Sequence, residues 1–289
     1  MAPLCFAVVH VMDSFCVGDV FEKPWMGMVT SALASLIVFA PLPYTLPFVE
    51  WQWPEWQIIV MAISAGALIQ LSQGLYFKAL GNSEAGIVAS YWSLVPAMVP
   101  IASFVVFGEH LSLITYVGIT ILIVSSIGFC KVDTNLKGRL DSLVYMIGAS
   151  LMQTAMFLLE EIVFISVPYF VGFLFITAGI VITGSSFLII PQNRILFKRN
   201  MPKLSSIAKL FVVIEVINLT ALAFSQRAVD LGIPSLVAGV ESTIPAYTFL
   251  ISAILYVINH KFGDKLALKN IAKKFTLIGV MVIGVILIA

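Results

Sequence analysis

AVDLGIPSLVAGVESTIPAYTFLISAILY, Ala228 to Tyr256, is an apolar stretch of membrane-spanning length with one carboxylate, Glu241, near its middle. An earlier stretch echoes it: ALGNSEAGIVASYWSLVPAMVPIASFVVF, Ala79 to Phe107. Laid together without gaps, they pair Ala79 with Ala228, Val88-Ala89 with Val237-Ala238, Ser93 with Ser242, Pro96-Ala97 with Pro245-Ala246 and Ser103 with Ser252. Each copy is followed by a glycine-acid-base-leucine turn, Gly108-Glu109-His110-Leu111 and then Gly263-Asp264-Lys265-Leu266. Each turn leads into a further apolar span carrying Thr-x-x-Gly, Thr115 to Gly118 and Thr276 to Gly279. In so apolar a chain single identities arise by chance, so the mid-span proline and the shared turn carry the inference. The chain reads as an internal duplication of membrane-length segments, a pattern that transporter folds show.

The composition agrees. Hydrophobic residues make up 60% of the chain and charged ones 11%, with a mean hydropathy of +1.05, so the polar surface of a soluble globule is missing. The bilayer must serve as solvent for nearly all of it. A formal net charge of +1 argues for no nucleic-acid partner. Cys5, Cys16 and Cys130 are odd in number and lack metal-ligand spacing, so neither a disulfide framework nor a metal site is expected, and no cofactor is.

In order, spans are expected at about residues 1–21, 25–46, 57–77, 86–107, 111–129, 142–159, 162–190, 207–226, 228–256 and 275–289. The first holds His10, Asp13 and Asp19, has no Lys or Arg before Lys23 and no small-residue cleavage pattern, so it reads as a span and not a signal peptide. Trp51, Trp53 and Trp56 suit an interfacial aromatic belt. KVDTNLKGRLD, residues 131–141, is a polar connector, and PQNRILFKRNMPKLSS, residues 191–206, reads as a basic loop. The expected fold is an all-α integral membrane protein of ten transmembrane helices. They form two inverted five-helix repeats, residues 1–130 and 142–289, on either side of the 131–141 connector. Helices are required because lipid offers the backbone no hydrogen-bond partner, and the alternation of a barrel is absent. On this count every Lys and Arg of the 16 except Arg227 falls in an odd-numbered connector. The positive-inside rule then puts those connectors in the cytoplasm and both termini outside, in a plasma or inner membrane.

The pattern Gly108-Glu109-x-Leu111, followed by Gly118 and Gly128 and preceded by Ala79-Leu80 and Pro96, resembles the EamA-type module of the drug/metabolite transporter superfamily. Gly263-Asp264-x-Leu266 with Gly279 and Gly284 is a looser second copy. The resemblance implies a ten-helix basket whose central cavity is lined by the first, third, fourth, sixth, eighth and ninth spans. It also implies cytoplasmic termini, opposite to the charge bias.

Function is sought in polar groups at mid-membrane depth, because an ionisable side chain there costs on the order of 3 kcal/mol to insert and normally faces a cavity or a partner. Asp13, Glu215 and Glu241 qualify, Asp13 with His10 and Glu215 with Asn218 at i,i+3 spacing. Gln70 and Gln73 repeat that spacing on the third span, and Gln153 lies on the sixth. Trp92 holds the repeat position that matches Glu241 and is placed opposite it as a cavity wall. The bland alternative for the amides is hydrogen bonding between helices; for Trp92 it is aromatic filler, and for the prolines simple kinks. Glu109, Glu160, Glu161 and Asp264 are read as interfacial helix ends. Acids at mid-depth without Lys or Arg favour a cationic, zwitterionic or neutral solute over a phosphorylated one, which would want cations. The expected function is secondary transport of a small organic metabolite such as an amino acid or amine by alternating access, with proton coupling through the carboxylates. The alternatives are a nucleotide-sugar or sugar-phosphate carrier held by Lys78 and Arg227, or a non-transporting scaffold. An enzyme is not expected: HExxH and GxSxG are absent and His10, His110 and His260 lie apart.

Overall fold

The computed structural model describes residues 1–48, 51–83, 88–89, 91–92, 94–132, 136–258 and 271–288. Among them every regular element is a helix: α1 (Ala2–Asp19), α2 (Trp25–Ala34), α3 (Trp56–Leu80), α4 (Leu94–Phe107), α5 (Leu113–Val132), α6 (Leu136–Ser166), α7 (Tyr169–Ser186), α8 (Pro191–Ser206), α9 (Ala208–Leu231), α10 (Pro234–Glu241), α11 (Ile244–Ile258) and α12 (Ile271–Ile288). Among the described residues, six stretches are long and apolar enough to cross a bilayer: Trp25–Tyr44, Trp56–Leu80, Asp141–Ser166, Tyr169–Ile189, Ala208–Leu231 and Pro234–Ile258. Ala2–Val17, Leu94–Phe107 and Leu113–Ser125 are shorter apolar helices. Large apolar side chains such as Leu113, Val105, Ile165 and Val257 point outward, as a lipid-facing surface requires. The chain is a multi-pass integral membrane protein.

Helix packing follows small residues. α3 lies against α6 on one side and α7 on the other. At the α3–α7 crossing, a Cβ added to Gly66 would meet the Ile176 carbonyl oxygen and one added to Gly179 the Ile63 carbonyl, so the backbones touch where side chains would otherwise separate them. The crossing of α5 and α12 is built the same way. A Cβ on Gly118 would lie 2.9 Å from the Gly284 carbonyl oxygen, and one on Gly284 would lie 3.1 Å from that of Gly118. Gly108 ends α4 at φ 68°, a left-handed cap open to glycine, with its amide on the Phe104 carbonyl at 3.0 Å. The next residue, Glu109, accepts a hydrogen bond from Ser235 at the start of α10 at 3.1 Å.

Several boundaries differ from those expected. Residues 191–206 form helix α8, not a loop. Pro191 sits in its first turn, where a missing N–H costs nothing. Phe197, Asn200 and Leu204, at helical spacing, are its buried face. α6 continues past Glu160 and Glu161 to Ser166, and its first turns take in residues 136–141 of the polar connector. Ala228–Leu231, the start of the opening stretch, belongs to α9. Ser93, Gly86 and the turn Gly263-Asp264-Lys265-Leu266 lie outside the described residues.

The decisive local feature is a break. α10 ends at Glu241 and α11 begins at Ile244. Pro245 has no N–H to return to the Glu241 carbonyl, and the Thr243 amide turns instead to Val240 at 3.1 Å. The opening stretch therefore crosses as two half-helices that meet at the carboxylate.

Candidate functional site

Side chains from α1, α2, α3, α4, α6, α7 and α9 and from both sides of the α10–α11 break line a central cavity of about 1000 Å³, its open mouth included. Asp13 from α1, Gln73 from α3, Trp92, Gln153 from α6, Glu215 and Asn218 from α9 and Glu241 from α10 all line it. Gln70 does not: it is fully buried, and its Nε2 donates to the Met28 carbonyl of α2 at 2.5 Å. It is a tie between helices, the alternative weighed for such amides. Gln153 combines both roles, lining the cavity while donating to Ser72 Oγ at 2.8 Å.

The wall also holds residues that the spacing did not single out. Glu160 is the chief one. Read as an interfacial helix end, it stands inside the long α6, 1% exposed, and lines the cavity. Gln226 Nε2 donates to its Oε1 at 2.6 Å. Ser31 and Ser35 of the second span and Ser225 of α9 also reach the wall.

The four carboxylates are each held by donors. Glu215, 5% exposed, accepts from Ser31 at 2.9 Å on Oε2 and from Ser35 at 2.8 Å on Oε1, with Asn218 at 3.5 Å. Asp13 accepts from the Tyr76 hydroxyl at 3.3 Å. Glu241, partly exposed to the cavity, accepts from Ser225 Oγ at 2.5 Å. Hydrogen bonds to a charged acceptor are worth about 1.5–3 kcal/mol each, so these donors offset part of the cost of taking an acid out of water. Two polar atoms in the wall remain without a partner among the described residues, His10 Nδ1 and Gln73 Oε1.

Aromatic rings shape the space between the acids. Tyr76 lies with its centroid 5.0 Å from that of His10 and 6.1 Å from that of Trp92. A smaller recess continues from the Asp13 and Glu215 end under Phe21, Phe77 and Phe211. Phe21 closes it, stacked on Phe211 at 5.5 Å and edge-on to Phe77 at 6.0 Å. Beyond that plug, Glu22 pairs with Arg199 of α8, and Asn200 donates to the Val20 carbonyl at 3.3 Å.

No Lys or Arg lines the cavity among the described residues. Lys78 lies over the Tyr145 ring at 5.8 Å, and Arg227 pairs with Asp230 and sits 5.3 Å from the Tyr169 centroid. Both are away from the wall. Among the described residues no three His, Cys, Asp or Glu side chains gather closely enough to hold a metal ion. The arrangement can accept N–H donors and positive charge, and its carboxylates can bind and release protons.

No curated protein matches the chain. A solved structure described only as "Crystal structure of protein" shares the fold, with a TM-score of 0.60 and 12% identity over 97% of this chain and 98% of that one. At that identity the likeness concerns the fold alone. The sequence model that matches is that of the EamA-like transporter family, over residues 1–130. Residues 1–130 are thus similar to the EamA-like transporter family, part of the drug/metabolite transporter superfamily.

Proposed function

We propose that the protein is a secondary transporter that moves a small cationic, zwitterionic or neutral organic metabolite, such as an amine or amino acid, by alternating access. One observation carries this reading: a central cavity walled by Asp13, Glu160, Glu215 and Glu241, with no Lys or Arg among its described lining residues. Carboxylates placed at such depth are costly and mark solute or proton pathways in membrane proteins. Their sign selects against phosphorylated solutes, and Lys78 and Arg227, which a sugar-phosphate carrier would need, are engaged elsewhere. Glu241 at the break between α10 and α11 is the coupling carboxylate, since a half-helix junction gives the chain a hinge at the binding depth. Proton coupling follows from carboxylates that exchange ammonium for proton.

The arrangement that fits this mechanism is two inverted five-helix repeats, residues 1–130 and 142–289 about the 131–141 connector. It is supported by the Pro96 and Pro245 correspondence and by the Gly118–Gly284 contact between α5 and α12. The odd-numbered connectors, with the basic helix α8 among them, face the cytoplasm on the positive-inside rule. The test is a thermal-shift screen of the detergent-purified protein against amino acids, polyamines, nucleosides, cationic drugs and sugar phosphates, run beside Glu241→Gln. A ligand at about 100 times its Kd adds roughly 2.7 kcal/mol of apparent stability. Stabilisation of the wild type by an amine or amino acid, lost in Glu241→Gln, is expected. Stabilisation by sugar phosphates alone, equal in both proteins, would overturn it.

A further inference from the structure

The four carboxylates are not spread evenly. Glu241 is held by Ser225 and Glu160 by Gln226, adjacent residues of α9, so these two acids form one pole of the cavity. Asp13 and Glu215 form the other, and both also line the recess under Phe21. Ser225 lies ten residues beyond Glu215 on α9, so the anchor points are separated by about 15 Å of helix at 1.5 Å per residue. Between the poles the wall is largely apolar and aromatic, with Trp92, Phe157, Met156 and Leu222.

The Asp13 pole also has acceptors without donors. His10, 7% exposed, has a buried Nδ1 with no hydrogen-bond partner among the described residues, and so does Gln73 Oε1. Both residues line the cavity. An ammonium carries three N–H donors and accepts nothing, so it supplies a donor for these atoms and the positive charge that the nearby carboxylates, already held by neutral donors, do not meet in the wall. An α-amino acid would bring its own carboxylate into an acidic wall with no cation to receive it.

We infer that the cavity takes a linear polyamine, one terminal ammonium at the Asp13–Glu215 pole and the other at the Glu160–Glu241 pole, its methylene chain along Trp92 and Phe157. This rests on the acid-cavity reading above and narrows it to a solute with charge at both ends. The aromatic wall suits it twice over, since Trp92 offers apolar contact to methylenes and a ring face to an ammonium. A short monoamine engages one pole only. A polyamine that reaches both gains from the second as an intramolecular contact.

Isothermal titration calorimetry of the full chain in detergent tests this with spermidine, putrescine, n-butylamine and alanine as probes. Wild-type protein should bind spermidine about tenfold or more tighter than n-butylamine. Glu160→Gln at one pole and Asp13→Asn at the other should each remove most of that advantage while leaving n-butylamine binding at the intact pole. Size-exclusion profiles check folding, and Glu215→Gln replaces Asp13→Asn if the latter does not fold, because Ser31 and Ser35 can still bond an amide. Alanine or n-butylamine binding as tightly as spermidine, lost in Glu241→Gln but untouched by Glu160→Gln, would overturn the two-pole inference and leave the acid-cavity reading intact. Spermidine binding of equal strength in every variant would be surface attraction and would overturn it too. Binding by none of the four probes would overturn the polyamine inference, and the wider thermal-shift screen would then decide the acid-cavity reading separately.

Discussion

With the two stretches laid together without gaps, Trp92 and Glu241 fall at the same place, four residues ahead of Pro96 and Pro245. In each case the proline has no N–H to return to the carbonyl four residues earlier. At Trp92 that carbonyl is taken by Val95 at 3.0 Å, and around Glu241 the amides also turn to i−3 partners. Both side chains line the cavity. One is a large aromatic and the other an acid, so on the proposed two-repeat reading the mid-span proline is shared while the side chain four residues ahead of it differs. An interruption at this depth frees backbone groups and weakens the wall, which is tolerable where the chain faces a cavity and not lipid. In the proposed mechanism the aromatic position shapes the cavity and the acidic one receives the charge.

That contrast can be broken most sharply at the acid. Glu241→Gln keeps an acceptor for Ser225 but removes the charge, and it should abolish substrate uptake into proteoliposomes while the protein elutes and melts as a folded chain. The aromatic position should respond differently. Trp92→Ala should leave transport measurable but weaken substrate binding about tenfold, since loss of a ring contact to a cation costs about 1–2 kcal/mol. A Trp92→Ala variant as dead as Glu241→Gln would mean that the two positions do the same work.

The prolines offer a second comparison. Pro245→Ala restores a donor for the Glu241 carbonyl and should favour a continuous helix. Measured kcat should fall with little change in binding, because the hinge and not the site has been altered. Pro96→Ala should have the smaller effect of the two, because the residue at that junction bears no charge. Away from the cavity, Gly118→Ala forces apart the α5–α12 crossing and should lower stability by about 1–3 kcal/mol, read as a drop in Tm with transport by the remaining folded protein unchanged. The smallest effect is expected from Ser225→Ala. It deletes the hydroxyl that donates to Glu241, and because water entering the open cavity replaces that donor, the net cost should be about 0.5–1 kcal/mol, read as a small drop in Tm.

How far the sequence could be read differs from feature to feature, for physical reasons. Membrane residence was plain, because hydropathy measures the solvent directly. Asp13, Glu215 and Glu241 stood out for the same reason: an acid inside an apolar run has few structural excuses. Glu160 was missed because Glu160-Glu161 looks like the polar end of a span, whereas α6 continues to Ser166 with Glu160 turned inward and Glu161 on a different side. Only the partner, Gln226, one turn from the end of its own helix, separates the two acids, and pairing across helices is not written in either segment. Gln70 and Gln73 show the opposite limit. Their shared i,i+3 face predicts one fate, yet Gln70 meets the α2 backbone and Gln73 the cavity, a difference set by where α2 crosses α3. The helix at residues 191–206 was hidden by its two prolines and its charge, although Phe197, Asn200 and Leu204 already carried the helical spacing.

The central claim, that an acidic cavity opened by the break at Glu241 is a solute pathway, is tested most directly by reach. A Glu241→Cys variant, in a background where Cys5, Cys16 and Cys130 are replaced, is exposed in proteoliposomes to a membrane-impermeant thiol reagent, with a lipid-facing Val105→Cys as control. Labelling at position 241, with Val105→Cys unreactive, is the expected result, because a transport cavity must open to water. A position 241 that stays unreactive from both sides of the membrane would mean a packed helical scaffold, and the transporter reading of this site would fall.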